Sequence, residues 1–153
     1  MEFTFASMSD QDAHTIAGGR YPDPYSFYNL TADPDDLAEL LDPQRRARWY
    51  HAVRDAQGDL VGFLSLREER GTVQLGLGLR PDLTGQGHGL PFLLQALDFA
   101  RTRFAATRFQ LSVATFNRRA IRVYERAGFR PGRTYLHQTN GGEYEFLDMA
   151  RNA

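Results

Sequence analysis

A strand pattern, a glycine-rich turn and a helix start follow one another in the middle of this chain. The strand pattern runs from Val73 to Leu79, and the glycines of the turn alternate at positions 85, 87 and 89. An apolar helical pattern follows, with Leu90, Leu93, Leu94, Leu97 and Phe104 on one face. Glycine lets a backbone approach a ligand closely, and the unpaired amides and dipole of a helix start favour an anion. The segment therefore predicts a binding site for a phosphate group.

Composition excludes several other kinds of site. All 18 basic residues are arginine, so the turn lacks the lysine of a Walker A loop, and Schiff-base chemistry on lysine is excluded. The chain has no cysteine, which excludes a disulfide framework, a thiolate nucleophile and a cysteine zinc site. Its net charge of −1 gives no overall field that would attract nucleic acid or an anionic membrane. We therefore expect no nucleic-acid partner and no metal.

Neither a membrane segment nor a leader is predicted. No apolar run approaches the roughly 18 residues that a membrane helix needs. The first residues alternate and begin acidic, unlike the pattern of a signal peptide. We expect a cytoplasmic protein without a membrane partner.

The remaining patterns predict one α+β domain over residues 1–153. Strands are predicted at Phe3 to Ala6, Tyr50 to Asp55, Leu60 to Glu69, Thr72 to Leu79, around Phe109 to Val113, and at about 133–139 and 143–150. Helices are predicted after Ser9, after the caps Asp33-Pro34 and Asp42-Pro43, from the glycine turn to about Phe104, and from Asn117 to Ala127.

Two sequence blocks carry a resemblance to a known family. The first runs from Leu79 to Gly89 and reads Leu-x-Pro-x-x-Thr-Gly-Gln-Gly-His-Gly, and the second runs from Asn117 through Tyr124 to Gly128-Phe129. In this order they resemble the acetyl-CoA loop and the second signature of the GCN5-related N-acetyltransferase (GNAT) family. The resemblance covers nearly the whole chain. It implies a mixed, mostly antiparallel central sheet flanked by helices, and the transfer of an acetyl group from acetyl-CoA to a primary amine.

The resemblance also assigns a cofactor site. It implies that the amides of Leu77 and Leu79 bind the pantetheine arm, while the loop amides bind the pyrophosphate. These loop residues are Gly85, Gln86, Gly87, His88, Gly89 and Leu90. Gly76 and Gly78 within the strand indicate either a close approach by the cofactor or small residues packed under a helix. Thr84 departs from the family, which usually has Gln or Arg there, so we expect weakened contact at that point.

The second block has two interpretations at each of its key residues. Asn117 is typical of an N-cap, or it hydrogen-bonds the pantetheine arm. Tyr124 lies on the apolar face of its helix and is either a core tyrosine or, as the resemblance implies, the general acid that protonates the departing thiolate. The neighbouring arginines form a solvated face from which one or two reach the CoA 3′-phosphate. These are Arg118, Arg119, Arg122 and Arg126.

No general base is assigned from the sequence. In one branch of the family a glutamate stands five residues before the asparagine, and here that position is Ser112. The late strands carry carboxylates that could approach the site, namely Glu143, Glu145 and Asp148. A chain of water molecules to bulk solvent is the alternative.

The acceptor side is predicted only in outline. Tyr25 and Tyr28 lie in an aromatic cluster around two prolines, and they either wall the acceptor pocket, as the resemblance implies, or pin a loop to the core. The acceptor is a small molecule or a peptide amine. Dimers are common in the family, so a homodimer is an open prediction.

Two other functions compete with the enzyme. A non-catalytic acyl-CoA-binding module would keep the loop but would not need Tyr124. A Rossmann-type dinucleotide enzyme fits poorly, because Phe109 and Gln110 stand where the ribose-binding acid would be.

Overall fold

Seven strands form one sheet in this computed structural model, which describes residues 1–153 apart from the side chain of Thr31. The strands are β1 (Thr4–Ser7), β2 (Tyr50–Arg54), β3 (Leu60–Glu69), β4 (Thr72–Leu79), β5 (Arg108–Ala114), β6 (Arg130–Thr139) and β7 (Gly142–Asn152). Their order across the sheet is β1-β2-β3-β4-β5-β7-β6. Each neighbouring pair is antiparallel except β4 with β5, which is parallel. The mixed, mostly antiparallel sheet is therefore confirmed.

Five helices begin where the sequence predicts them, four of them at a side-chain cap. They are α1 (Asp10–Ala17), α2 (Pro34–Leu41), α3 (Pro43–Trp49), α4 (Gly89–Arg103) and α5 (Arg118–Arg126). Ser9 forms a capping box with Asp12 at the start of α1. Asp33 and Asp42 each accept hydrogen bonds from the first turn of the next helix, with proline at the first helical position. Local capping chemistry therefore sets these boundaries.

The helices cover the two faces of the sheet unequally. On one face, α4 and α5 pack on a core that includes Leu64, Leu97 and Phe109. On the other face, α1 and α2 pack on β2 and β3 around Leu40 and Ala52. The same face of β5, β7 and β6 carries polar and aromatic side chains, among them Gln110, Ser112 and Phe146, and we call this region the open face.

Two sequence expectations need correction. Leu94 is 42% exposed, because the buried stripe of α4 follows Leu93 and Leu97 and turns Leu94 outward. The last two strands are longer than predicted. A bulge between Pro131 and Thr134 lets β6 pair with β7 on both sides of it, so β6 begins at Arg130.

Candidate active site

A V-shaped gap opens in the middle of the sheet. β4 and β5 pair only where Thr72 to Gln74 meets Arg108 to Gln110. Beyond these residues β4 stays paired with β3 up to Leu79, and β5 stays paired with β7 up to Ala114. The two strands therefore part toward their carboxyl ends, and each leaves backbone groups facing the gap.

The amides of Leu77 and Leu79 face this gap. The N–H of Arg80, which follows β4, donates to the Val61 carbonyl at 2.7 Å. The backbone N–H and C=O groups of the even-numbered residues of β4 therefore face β3. The backbone groups of alternate residues face opposite neighbouring strands, so the N–H and C=O groups of Leu77 and Leu79 face β5. The Leu79 carbonyl on this side accepts a hydrogen bond from the Tyr21 hydroxyl at 2.6 Å. The predicted pantetheine-binding amides thus lie in the gap, and their role stays a prediction.

The glycine loop presents a row of free amides next to the gap. Gly85 and Gly87 have φ of +72° and +84°, a backbone conformation that favours glycine. The His88 side chain does not cap α4, and Pro91 in the first turn has no N–H. Among the residues that the structure describes, none of the six N–H groups of residues 85 to 90 donates within the protein. Together with the helix dipole, these donors make an anion site.

Side chains around the loop hold its shape and add positive charge. The Thr84 hydroxyl donates to the Pro81 carbonyl at 2.7 Å, and Gln86 Nε2 donates to the Asp82 carbonyl at 2.5 Å. Both side chains therefore stabilise the loop from within. The Arg119 guanidinium lies beside Gly85, where an added β-carbon would be 3.1 Å from its Nη1. Arg119 is thus the member of the basic run placed next to the loop.

Gly76 and Gly78 have a packing role that the sequence did not reveal. A β-carbon on Gly76 would collide with the side chain of Ser65, and one on Gly78 would collide with the ring of Phe63. Both neighbours belong to β3. These glycines therefore make room for cross-strand side chains, which accounts for them without a cofactor and without the predicted packing under a helix.

Asn117 and Tyr124 lie at the start and near the end of α5. The Asn117 side chain accepts from the Ala120 N–H at 3.1 Å, so the N-cap interpretation is confirmed. Tyr124 is partly buried, and among the described residues its hydroxyl has no hydrogen-bond partner in the protein. Burial, with Tyr28 nearby, raises the pKa of Tyr124 above its usual value of 10.0. The phenol is therefore protonated at neutral pH.

The segment of residues 20–33, which we call the strap, crosses the carboxyl end of the gap. It carries two 3₁₀ turns, Tyr25–Tyr28 and Leu30–Ala32. The Tyr25 ring lies 4.1 Å from the Arg119 guanidinium carbon. The Tyr28 hydroxyl is buried without a well-formed hydrogen bond, although the Asn117 side chain lies near it. Burial raises the pKa of Tyr28 as it does that of Tyr21.

The hairpin between β6 and β7 fixes the far end of the strap. Asn140 Nδ2 donates to the Phe27 carbonyl at 2.5 Å, and the Thr139 hydroxyl donates to Asp33 at 2.8 Å. The Phe27 ring packs edge-on against Tyr144 at a centroid distance of 4.6 Å. The strap therefore borders the open face at the carboxyl end of the gap, on the side where an acceptor is predicted to bind.

A hydroxyl and a carboxylate meet on the open face beside the gap. The Ser112 hydroxyl donates to Asp148 at 2.8 Å, and the Tyr135 hydroxyl lies 3.2 Å from Ser112 Oγ. Glu143 and Glu145, the other late carboxylates, are exposed. Sequence reasoning missed this pairing because the register of β5 against β7 brings Ser112 opposite Asp148.

A model of the acetyltransferase (GNAT) domain family matches residues 2–130. The chain belongs to this family. It is similar to a spermidine N(1)-acetyltransferase of Vibrio cholerae, with 27% identity over 121 residues that cover 76% of this chain and 70% of the relative. The prediction of a GNAT N-acetyltransferase, with acetyl-CoA as cosubstrate, is confirmed.

Solved GNAT structures share the fold. A spermidine N-acetyltransferase from Vibrio cholerae in complex with CoA and spermine has a TM-score of 0.78 and 22% identity, covering 98% of this chain and 95% of that one. A GNAT acetyltransferase from Bacillus anthracis has a TM-score of 0.76 and 13% identity, covering 99% and 95%. None of the described helices is long and apolar enough to cross a membrane, and the described residues include no cluster of three His, Asp or Glu placed to hold a metal ion.

Proposed function

We propose that residues 1–153 form one N-acetyltransferase domain that binds acetyl-CoA between β4, the glycine loop and α5, and acetylates an amine entering from the open face. The row of free amides at the uncapped start of α4 carries this proposal. These amides adjoin the gap, and Arg119 supplies a cation beside them. Phosphate groups suit such donors, and an extended arm with amide groups suits the free backbone of β4.

The backbone of β4 would polarise the thioester carbonyl. The N–H groups of Leu77 and Leu79 face the gap and have no partner within the sheet. A fixed donor of this kind stabilises an oxyanion as the amine attacks. Asn117, which caps α5 next to Tyr28, has one side of its amide left for the pantetheine arm.

Tyr124 would donate its proton to the departing sulfur. Its hydroxyl is free of protein acceptors among the described residues, and burial keeps the phenol neutral. The raised pKa also makes Tyr124 a weaker acid than an ordinary tyrosine. Activity should therefore show no decline from phenol ionisation below about pH 10, which is the ordinary tyrosine value.

The acceptor is a primary amine that passes the strap. Tyr25 and Tyr28 would wall its pocket, since both lie between the glycine loop and the aromatic residues of the open face. The Vibrio cholerae relative is named for spermidine, which is an amine of this chemical class. We propose no metal requirement; a homodimer and a cytoplasmic location stay predictions for sedimentation and fractionation.

Titration calorimetry with CoA and a turnover assay over a panel of amines test the proposal. CoA should bind, and at least one amine should be acetylated. Tyr124→Phe should keep CoA affinity and lower turnover by on the order of 100-fold, the range for loss of a general acid. Tyr50→Phe is the matched control, because burial also raises the pKa of Tyr50 but its hydroxyl binds Glu39 at 2.9 Å, away from the gap. No heat at millimolar CoA would refute the site, and unchanged turnover in Tyr124→Phe would refute the acid.

A further inference from the structure

A broad groove of about 840 Å³ lies on the open face. The register of the sheet sets which residues form the floor of the groove. Ala150 of β7 lies opposite Gln110 of β5 on one side and opposite Arg130 of β6 on the other. Side chains from three neighbouring strands therefore line the groove together. Its lining includes Arg108, Gln110, Arg130, Arg133, Asp148 and Arg151.

The groove is basic although the chain is not. Four arginines and one aspartate line it, whereas the whole chain has a net charge of −1. Arg133 pairs with Asp148 at 3.4 Å. Arg151 lies opposite Phe109 on the α5 side of the sheet and donates to the backbone carbonyl of Ala127 at 2.6 Å, so its charge is directed away from the open face. Within the described part of the chain, Arg108 and Arg130 have no carboxylate within 4.0 Å.

The groove begins where the gap opens. Gln110 is the last residue of β5 that pairs with β4. Ser112, the next residue on the same face, stands beside the gap and donates to Asp148 in the groove. Leu77 and Leu79 lie three and five residues beyond the last pair of β4 and β5, and Arg108 lies two residues before it, so roughly 17–23 Å of strand separates them. A molecule whose amine reaches the gap can therefore place a second group among the arginines.

We propose that this groove binds an anionic group of the acceptor, so that the preferred substrates are amines that also carry a carboxylate or a phosphate roughly 10–17 Å from the reacting nitrogen, the strand distance less the reach of an arginine side chain. Arginine binds both groups with paired N–H donors. A polyamine would instead place its further ammonium groups against uncompensated guanidinium groups. The inference rests on the proposed acetyltransferase function, and it separates this chain from relatives named for spermidine.

Matched acceptors test the inference. The probes are tetrapeptides that begin with alanine and continue with three glutamates, three glutamines or three arginines, with one phosphoserine peptide and spermidine added. We expect the glutamate peptide to exceed the glutamine peptide in kcat/KM, and the arginine peptide and spermidine to be poorest. The glutamate and phosphoserine peptides distinguish a preference for carboxylate from one for phosphate.

A double variant locates the effect. Arg108→Gln with Arg130→Gln should lower kcat/KM for the glutamate peptide by about tenfold, as expected for two exposed charge contacts, and leave the glutamine peptide unchanged. Arg45→Gln on α3 is the control, because Arg45 is exposed and lies outside the groove. The preference should also weaken as salt rises.

Several results would overturn the inference. They are equal use of glutamate and glutamine peptides, a preference for spermidine, or an equal loss for every acceptor in the double variant. If CoA binds but no amine is acetylated, the proposed function fails and the groove is tested alone by calorimetry with the glutamate peptide. Binding that the double variant weakens then supports the anion site. No binding, or tighter binding of a single-stranded DNA oligonucleotide, overturns it.

Discussion

Gly87→Val should abolish CoA binding while the protein stays folded. Gly58→Val is the matched control that separates the loss of CoA binding from the loss of stability. Gly87 and Gly58 have φ of +84° and +85°, and a β-carbon would meet no heavy atom within 4 Å at either position. Neither substitution therefore causes a collision. Each forces an L-residue into the left-handed region, at a cost of about 1–2 kcal/mol and more for a branched side chain.

The stability loss should thus be similar for the two variants, about 2–4 °C in Tm per kcal/mol for a chain of this size. Only Gly87 lies in the row of free amides. If the strained loop loses two N–H bonds to phosphate at about 1.5 kcal/mol each, the loss is about 3 kcal/mol, or more than 100-fold in Kd. Calorimetry and thermal melts measure both quantities. Equal CoA affinity in Gly87→Val and Gly58→Val would refute a phosphate-binding role for the loop.

Three further predictions concern His51, which packs on Phe99 of α4, and two contacts around the site. Burial, with Arg103 nearby, lowers the pKa of His51 from 6.5, so the unfolded chain binds more protons than the folded one. The free energy of unfolding should therefore fall as pH falls below about 6.5. His51→Leu should flatten this pH dependence in urea unfolding between pH 5 and 8, and an unchanged slope would contradict the assignment. Thr139→Val removes the hydrogen bond to Asp33 and should raise the KM of the amine without changing CoA affinity, whereas an unchanged KM would show that the strap does not shape the acceptor pocket. Arg119→Gln should weaken CoA binding about fivefold at low salt and less at high salt, and a salt-independent loss would count against a charge contact.

Local chemistry is what the sequence reveals well. The caps at Asp33 and Asp42, the alternation of β4 and the glycine loop depend on neighbouring residues, and each was predictable. The contact between Ser112 and Asp148 was not, because it depends on β7 lying between β5 and β6.

The tether of the strap was hidden for a similar reason. Asn140 and Phe27 are 113 residues apart, and no local pattern relates them. The packing role of Gly78 was also not predictable, because a single sequence does not show that the Phe63 ring fills the space beside it.

Because β4 and β5 part, each of these central strands has an unpaired edge in the middle of the sheet. A central strand normally has the slowest-exchanging amides of a protein, since neighbours on both sides protect it. The amides of Leu77 and Leu79 lie in a central strand yet lack a partner on one side, as in an edge strand that accepts another chain. They should exchange with deuterium as fast as the amides of an outer strand. Bound CoA should slow them, and the molecule would then acquire the continuous protected centre that its own strands leave open.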